Sequence, residues 1–296
     1  MNQNNHTTQK EGDFMLKYKK MFSFIMVLFF ALGFNSFVAN ASENNELTVA
    51  QKEQLEQLGF SEQNIASMTI EEYLQFENVI AAEPSVKEET FYKITTDQEG
   101  NVINIEEYDE QDTIRLMNID DFMIQPLSSN TSNTAKTSWM SMTTTSTKLT
   151  NGRILLQNSF SWLKNPVVGF TDMVGMNYSD KVVIEPSTVK FSYKYTDGIG
   201  QHTKSYTNLD YNTNGIAATF DLRVVGQNAG TSNHYGYLAV EVKKGNVNDV
   251  SANAYGRYTH STLSFTVALA IRSGDISLGL ATAESKMTGT AIVFDF

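Results

Sequence analysis

The chain has 296 residues, no cysteine and a formal net charge of −11. The missing cysteines exclude disulfides, thiolate nucleophiles, thiolate-ligated metals and a lipid on an N-terminal cysteine, so stability has to come from a hydrophobic core, which a chain of this length can build. The acidic balance also argues against a nucleic-acid partner.

The charge is unevenly spread. Residues 42–125 hold 20 acidic and 4 basic side chains, a net of −16, whereas residues 126–296 hold 11 and 14, a net of +3. That contrast predicts a boundary near Pro126.

At the N-terminus a polar stretch over residues 1–14 makes Met15 a plausible start. Lys17, Lys19 and Lys20 precede the uncharged apolar run MFSFIMVLFFALGF, and Ala39-Asn40-Ala41 follows it. A basic flank, a short apolar core and a small-x-small site form an export signal, with cleavage predicted between Ala41 and Ser42. The alternative, an uncleaved membrane anchor, needs about 20 apolar residues, and Asn35 and Ser36 interrupt the run. The expected location is therefore extracellular, with release after cleavage. Export without disulfides fits a Gram-positive bacterium.

Residues 42–126 read as an acidic region of short helices and one hairpin. Thr48 and Gln51, and again Thr69 and Glu72, have capping-box spacing, and Ser61 is placed to cap a turn between them. The sequences FYKITTD and VINIEEY flank the turn-forming Gln98-Glu99-Gly100-Asn101. Residues 127–137 are rich in Ser, Thr and Asn and read as a linker.

From residue 138 to 296 the pattern changes to period two. Strands are predicted over 153–163, 189–196, 216–225, 235–243 and 291–296, with a hairpin over 263–280 turning at Arg272-Ser273-Gly274-Asp275. About eight short strands in this span favour a mainly β fold, an antiparallel β-sandwich or a closed β-barrel.

Two stretches carry a resemblance. LEQLGFSEQNIASMTIEEY, beginning at Leu55, resembles a helical segment found near the N-termini of exported Bacillus-type proteins. The stretch from Trp139 to Met176 resembles a family of uncharacterised secreted proteins of Bacillus-type Gram-positive bacteria, in which Trp-Leu-x-x-Pro (here Trp162 to Pro166) precedes Asp-x-(Val/Ile)-Gly (here Asp172 to Gly175). The resemblance implies export and a β fold; the family has no assigned activity and transfers no functional residue.

Chemistry-bearing motifs are sparse. His202, His234 and His260 lie 32 and 26 residues apart, without metal-ligand spacing, and read as exposed. There is no G-x-S-x-G elbow, phosphate loop or dinucleotide fingerprint. No catalytic residue, metal site or cofactor is therefore expected. Tyr193 with Tyr195, and Tyr235 with Tyr237, each share one strand face and are the candidate surface-binding aromatics. Trp162 reads as core. TSWMSMTTTSTKLT, from Thr137, and the alternating Ile292, Phe294, Phe296 also fit a membrane-active β protein.

The expectation is a secreted, non-catalytic β-domain protein whose partner is a cell-envelope component or another protein, meeting the membrane only through its signal segment. A pore-forming protein is the first alternative and an extracellular hydrolase the second. The acidic region is expected to be either a removable pro-segment or a docking module.

Overall fold

The structure, a computed structural model, describes residues 46–97, 101–123, 136–166, 169, 171–204, 208–222, 230–261, 269–278 and 284–296. The expected signal segment with Ala41 and Ser42, most of the linker, the tip of the first hairpin and residues 262–268 lie outside the described residues.

Helices form where the capping signals put them. Before α1 (Val49–Gln57), Thr48 Oγ1 accepts from the Gln51 amide while Gln51 Oε1 accepts from the Thr48 amide. Ser61 caps α2 (Glu62–Ser67), and Thr69 with Glu72 closes a second capping box on α3 (Ile70–Leu74). Helices of five to nine residues do not persist alone in water, so packing has to hold them.

The predicted first hairpin is β1 (Val86–Thr96) with β2 (Val102–Tyr108). A helix that has no counterpart among the predicted elements follows, α4 (Glu110–Met123). Asp109 Oδ1 accepts from the Asp112 amide at its start. Then come β3 (Lys136–Lys148), β4 (Ile154–Lys164), β5 (Thr171–Tyr178), β6 (Val182–Ile184), β7 (Lys190–Thr196) and β8 (Gln201–Lys204). The chain continues through β9 (Asn208–Asn212), β10 (Gly215–Asp221), β11 (Ser232–Lys244), β12 (Ser251–Ser261), β13 (Ala270–Arg272), β14 (Asp275–Ser277), β15 (Glu284–Lys286) and β16 (Ala291–Asp295). β5 and β12 escape a period-two reading for opposite reasons. β5 is buried on both faces and reads as an unbroken run, whereas β12 points Ala252, Ala254 and Gly256 inward.

Among the described residues two large antiparallel sheets result, with β13 and β14 paired apart from them as a third, two-stranded sheet. The first runs β2-β1-β3-β4-β11-β7-β8, with β6 also on β11; the second runs β15-β12-β5-β10-β9, with β16 also on β12. Both stay open at their margins, so the fold is a sandwich and the closed-barrel alternative is corrected. The inner faces interdigitate into one core that includes Met142, Leu156, Phe160, Val174, Met176, Phe220, Leu238 and Val240. Phe160 stacks on Phe220 at 5.1 Å and tilts against Tyr258 at 4.9 Å.

The expected boundary near Pro126 does not divide this fold. β1, from the acidic side, pairs with β3 along all its length, Val86 opposite Ser146 through Thr96 opposite Lys136. Residues 46–296 form one compact unit.

Each sheet also has a covered outer face. On the first, α1 to α3 bring Leu55, Leu58, Phe60, Met68, Tyr73 and Phe76 over Leu149, Leu155, Tyr237 and Ala239. On the second, the β13–β14 hairpin lays Ile271, Ile276 and Leu278 on Met173 and Ala217. Gly175 permits that approach, since a Cβ there would stand 2.8 Å from Ile276 Cδ1 and 3.0 Å from Ala217 Cβ. The predicted turn at Arg272 to Asp275 is in place, with Arg272 paired to Asp275.

Candidate functional site

Strand register assembles the site. On β12 and β5, Thr259 lies opposite Met173, which places His260 beside Asp172 at the end of the second sheet. On the first sheet, Tyr235 lies opposite Ser161 and Tyr195 opposite His202, so Trp162, His234, Tyr195 and His202 form one inward-facing row at the same end. The two rows meet where the Trp162 and His260 rings pack edge to face at 5.4 Å.

Asp172, fully buried, is the hub. Its Oδ2 accepts from the Tyr258 hydroxyl at 2.5 Å, its Oδ1 lies 2.9 Å from His260 Nδ1, and Oδ1 also accepts from the Ser261 amide at 3.3 Å. Trp162 Nε1 donates to the Tyr258 oxygen at 3.0 Å, tying the first sheet to this hub. Burial first, and the Asp172 carboxylate second, push the Tyr258 hydroxyl well above its ordinary value, so it remains a donor.

His234 is placed differently. It follows a break in the β7–β11 register, and Asn233 before it has φ 54°, the only positive φ at a non-glycine residue among the described residues. His234 Nδ1 lies 2.8 Å from the Tyr193 hydroxyl, while its Nε2 is buried with no hydrogen-bond partner. Burial pushes the ring down to about 4, against a weaker upward pull from Asp172, so it is neutral near pH 7. Tyr195 stacks between His234 and His202, and His202 Nε2 reaches Asp197 Oδ2 at 2.8 Å.

These positions revise the expectations for several residues. His234 and His260 are not exposed at turns; they are inside, because even-numbered residues of β11 and β12 face the opposing sheet. The tyrosine pairs do share strand faces, yet none is a surface side chain here. Tyr193 and Tyr195 point between the sheets, where Tyr193 tilts against Phe220 at 4.6 Å. Tyr235 and Tyr237 point outward and lie under the helices, with Phe60 against Tyr237 at 5.1 Å. Trp162 is core, as expected, at 3% exposure. The sequence names Asp172 only as part of a motif and gives neither it nor Tyr258 a role at a site. The available signal was a lone carboxylate inside the apolar stretch TDMVGM, together with its place in the Asp-x-Val-Gly motif; the Trp162 motif supplies the residue that reaches it through Tyr258.

No family model matches the chain, and no curated protein matches it. Among solved structures it is similar to the collagen-binding domain from a Staphylococcus aureus adhesin, at 9% identity, covering 48% of this chain and 86% of that one, with a TM-score of 0.26. It is also similar to the collagen-binding domain of the Erysipelothrix rhusiopathiae surface protein RspB, at 4% identity, covering 53% and 65%, with a TM-score of 0.28. At these values the likenesses do not bear on what the site does.

Chemically, the Asp172–His260 pair orients a ring, as a carboxylate does for a catalytic histidine. Here the second ligand of the carboxylate is the Tyr258 phenol, and every member of the group is enclosed. No group of three or more His, Asp or Glu side chains among the described residues could hold a metal ion. The arrangement seals the end of the sandwich with satisfied polar contacts, and His234 Nε2 is the exception.

Proposed function

We propose that the chain is a secreted, non-catalytic binding protein of a Bacillus-type Gram-positive bacterium, acting at or outside the cell envelope. The observation that supports it best is the enclosure of its chemistry-bearing side chains. Asp172 divides its oxygens among Tyr258, His260 and the Ser261 amide within the second sheet, and Trp162 of the first sheet donates to Tyr258, which makes the cluster a strut between sheets. The signal pattern ending at Ala41 supports export, and among the described residues no helix is long and apolar enough to cross a membrane. The Ser/Thr-rich strand behind the pore-forming alternative is an interior strand, paired with β1 on one side and β4 on the other, so nothing favours that reading separately.

The test has two parts. N-terminal sequencing of the protein from culture medium is expected to start at Ser42. Incubation of that protein with purified host cell walls and with immobilised secreted proteins of the host is expected to show saturable retention. Hydrolytic turnover that disappears in His260→Asn, without any saturable retention, would replace the binding reading by the hydrolase one.

A further inference from the structure

The helix-covered face of the first sheet has the chemistry of a surface. Its outward side chains include Gln157, Ser159, Ser161, Ser192, Lys194 and Tyr235, in a setting where the opposite face of the same strands is apolar. Gln157 is 1% exposed, and neither its Nε2 nor its Oε1 has a hydrogen-bond partner. A buried amide in that state carries an unrelieved desolvation cost, which water or a ligand would remove.

The helices above this face bring most of the apolar cluster that joins them to it. Of the twelve buried side chains in that cluster among the described residues, eight come from residues 47–76 and four from the sheet and its margin. Much of the remaining attachment is polar. Thr147 Oγ1 donates to Leu58 O at 3.0 Å, Ser161 Oγ to Gln63 Oε1 at 2.8 Å and Ser192 Oγ to Glu72 Oε1 at 2.7 Å. Lys194, with its side chain 1% exposed, donates to Glu72 Oε2 at 2.7 Å and to Ser67 O at 2.6 Å. A contact in which a small apolar patch from the sheet is ringed by this many polar hydrogen bonds resembles a transient interface more than a domain interior.

We propose that residues 46–80 form a displaceable cap over a binding face centred on Lys194 and Tyr235, and that the partner taking its place is an acidic peptide segment. Charge complementarity identifies the partner. The cap carries seven acidic and one basic residue, on a β region of net positive charge, and holds Lys194 with a carboxylate. Anything that displaces the cap has to supply a carboxylate to Lys194, because a buried cation left alone is costly. The cap is thus an internal stand-in for the partner. β1 stays in the sheet when the cap lifts, since its pairing with β3 is independent of the helices. The partner half of this inference rests on the binding reading; the opening half does not.

Two measurements on the exported protein separate the halves. In native-state hydrogen exchange, amides of α1 to α3 are expected to exchange as a group at least ~100-fold faster than those of β4 and β11. Glu72→Gln, which keeps the capping acceptor but removes the charge, should speed the cap group by about 100-fold or more and leave β4 and β11 unchanged, as loss of one partner of a buried charge pair predicts. Cap and sheet amides exchanging at one common rate would overturn the opening. For the partner, Gln63→Cys with Ser161→Cys, bridged by a short bis-maleimide in this cysteine-free chain, tethers the cap. Labelled poly-L-glutamate should bind the untethered protein saturably, and binding should be lost on tethering and in Lys194→Met. Binding unchanged by the tether, or no binding to the untethered protein, would overturn the masked face. Retention on cell walls that survives the tether would leave the binding reading standing without it.

Discussion

The two larger of the apolar clusters among the described residues differ in how they treat polar atoms. Between the sheets, the polar side chains at the sandwich end are knitted across both layers, from Trp162 through Tyr258 to Asp172 and His260. Nearer the middle, Asn158 Nδ2 donates to Gly175 O at 2.9 Å and to Arg257 O at 3.1 Å, which locks one sheet's register against the other. Under the helices, by contrast, the sheet mixes Leu155, Tyr237 and Ala239 with polar side chains, leaves Gln157 unpaired and holds Lys194 in a buried ion pair. The inter-sheet interior therefore specifies a single arrangement, whereas the helical layer is attached by contacts that can be exchanged for others.

The strongest way to break that comparison is at the hub. Asp172→Ala leaves Tyr258, His260 and the Ser261 amide without their common acceptor inside the core. The expected loss is about 3–5 kcal/mol, the range for removing one partner of a buried charged network. It should appear as a lower midpoint of urea unfolding followed by tryptophan fluorescence, both tryptophans being buried. A loss below about 1 kcal/mol, the size of an ordinary surface contact, would show that the cluster is not a strut.

The second effect is of pH. His234 stays neutral in the folded chain down to about 4, but titrates at its ordinary 6.5 once unfolded. Unfolding then takes up a proton between these values, so stability present above pH 6.5 is lost as the pH falls, by about 3 kcal/mol at pH 4. Glu72 adds a loss at lower pH. Burial alone would raise its carboxyl, but hydrogen bonds from Lys194, Thr69 and Ser192 outweigh burial and hold it below 4.5. His234→Phe should flatten the slope between pH 6.5 and 4 in urea titrations. An unchanged slope would assign the proton uptake to another group.

The sequence carried the local structure well and the long-range structure poorly, for a physical reason. Capping boxes are short-range hydrogen bonds, so Thr48, Ser61 and Thr69 could be read directly. Strands with alternating faces, such as β7 and β11, showed their period for the same reason. Alternation does not say what covers each face. Tyr193 and Tyr235 lie on opposite faces of neighbouring strands, and only tertiary structure decides that one meets a sheet and the other a helix. The site is legible even less, because Asp172 and His260 are 88 residues apart and joined only by strand pairing.

A smaller effect probes how tightly the polar middle is packed. Gly256 faces Thr144, Asn158 and Thr290, and a Cβ there would stand 2.1 Å from Thr144 Oγ1 and 2.7 Å from Asn158 Oδ1. Gly256→Ala is expected to cost about 1–3 kcal/mol by overpacking, seen in the urea midpoint. Because the strain falls between the sheets, exchange of β4 and β12 amides should accelerate together.

The smallest change sharpens the comparison most. Thr48→Ala removes the side-chain acceptor for the Gln51 amide at the start of α1, more than 30 residues before the first strand, with no contact to the inter-sheet core. Losing an N-cap costs about 1 kcal/mol. If helices and sheets unfold as one unit, that cost appears in the global urea midpoint and in the exchange of every protected amide. If the helical layer opens by itself, the midpoint of sheet unfolding stays put and only the amides of α1 to α3 exchange faster, by about fivefold for 1 kcal/mol. A uniform shift would mean that the polar contacts at Lys194 and Thr147 couple the layers as firmly as the apolar core does. The distinction between the two clusters would then be one of composition alone.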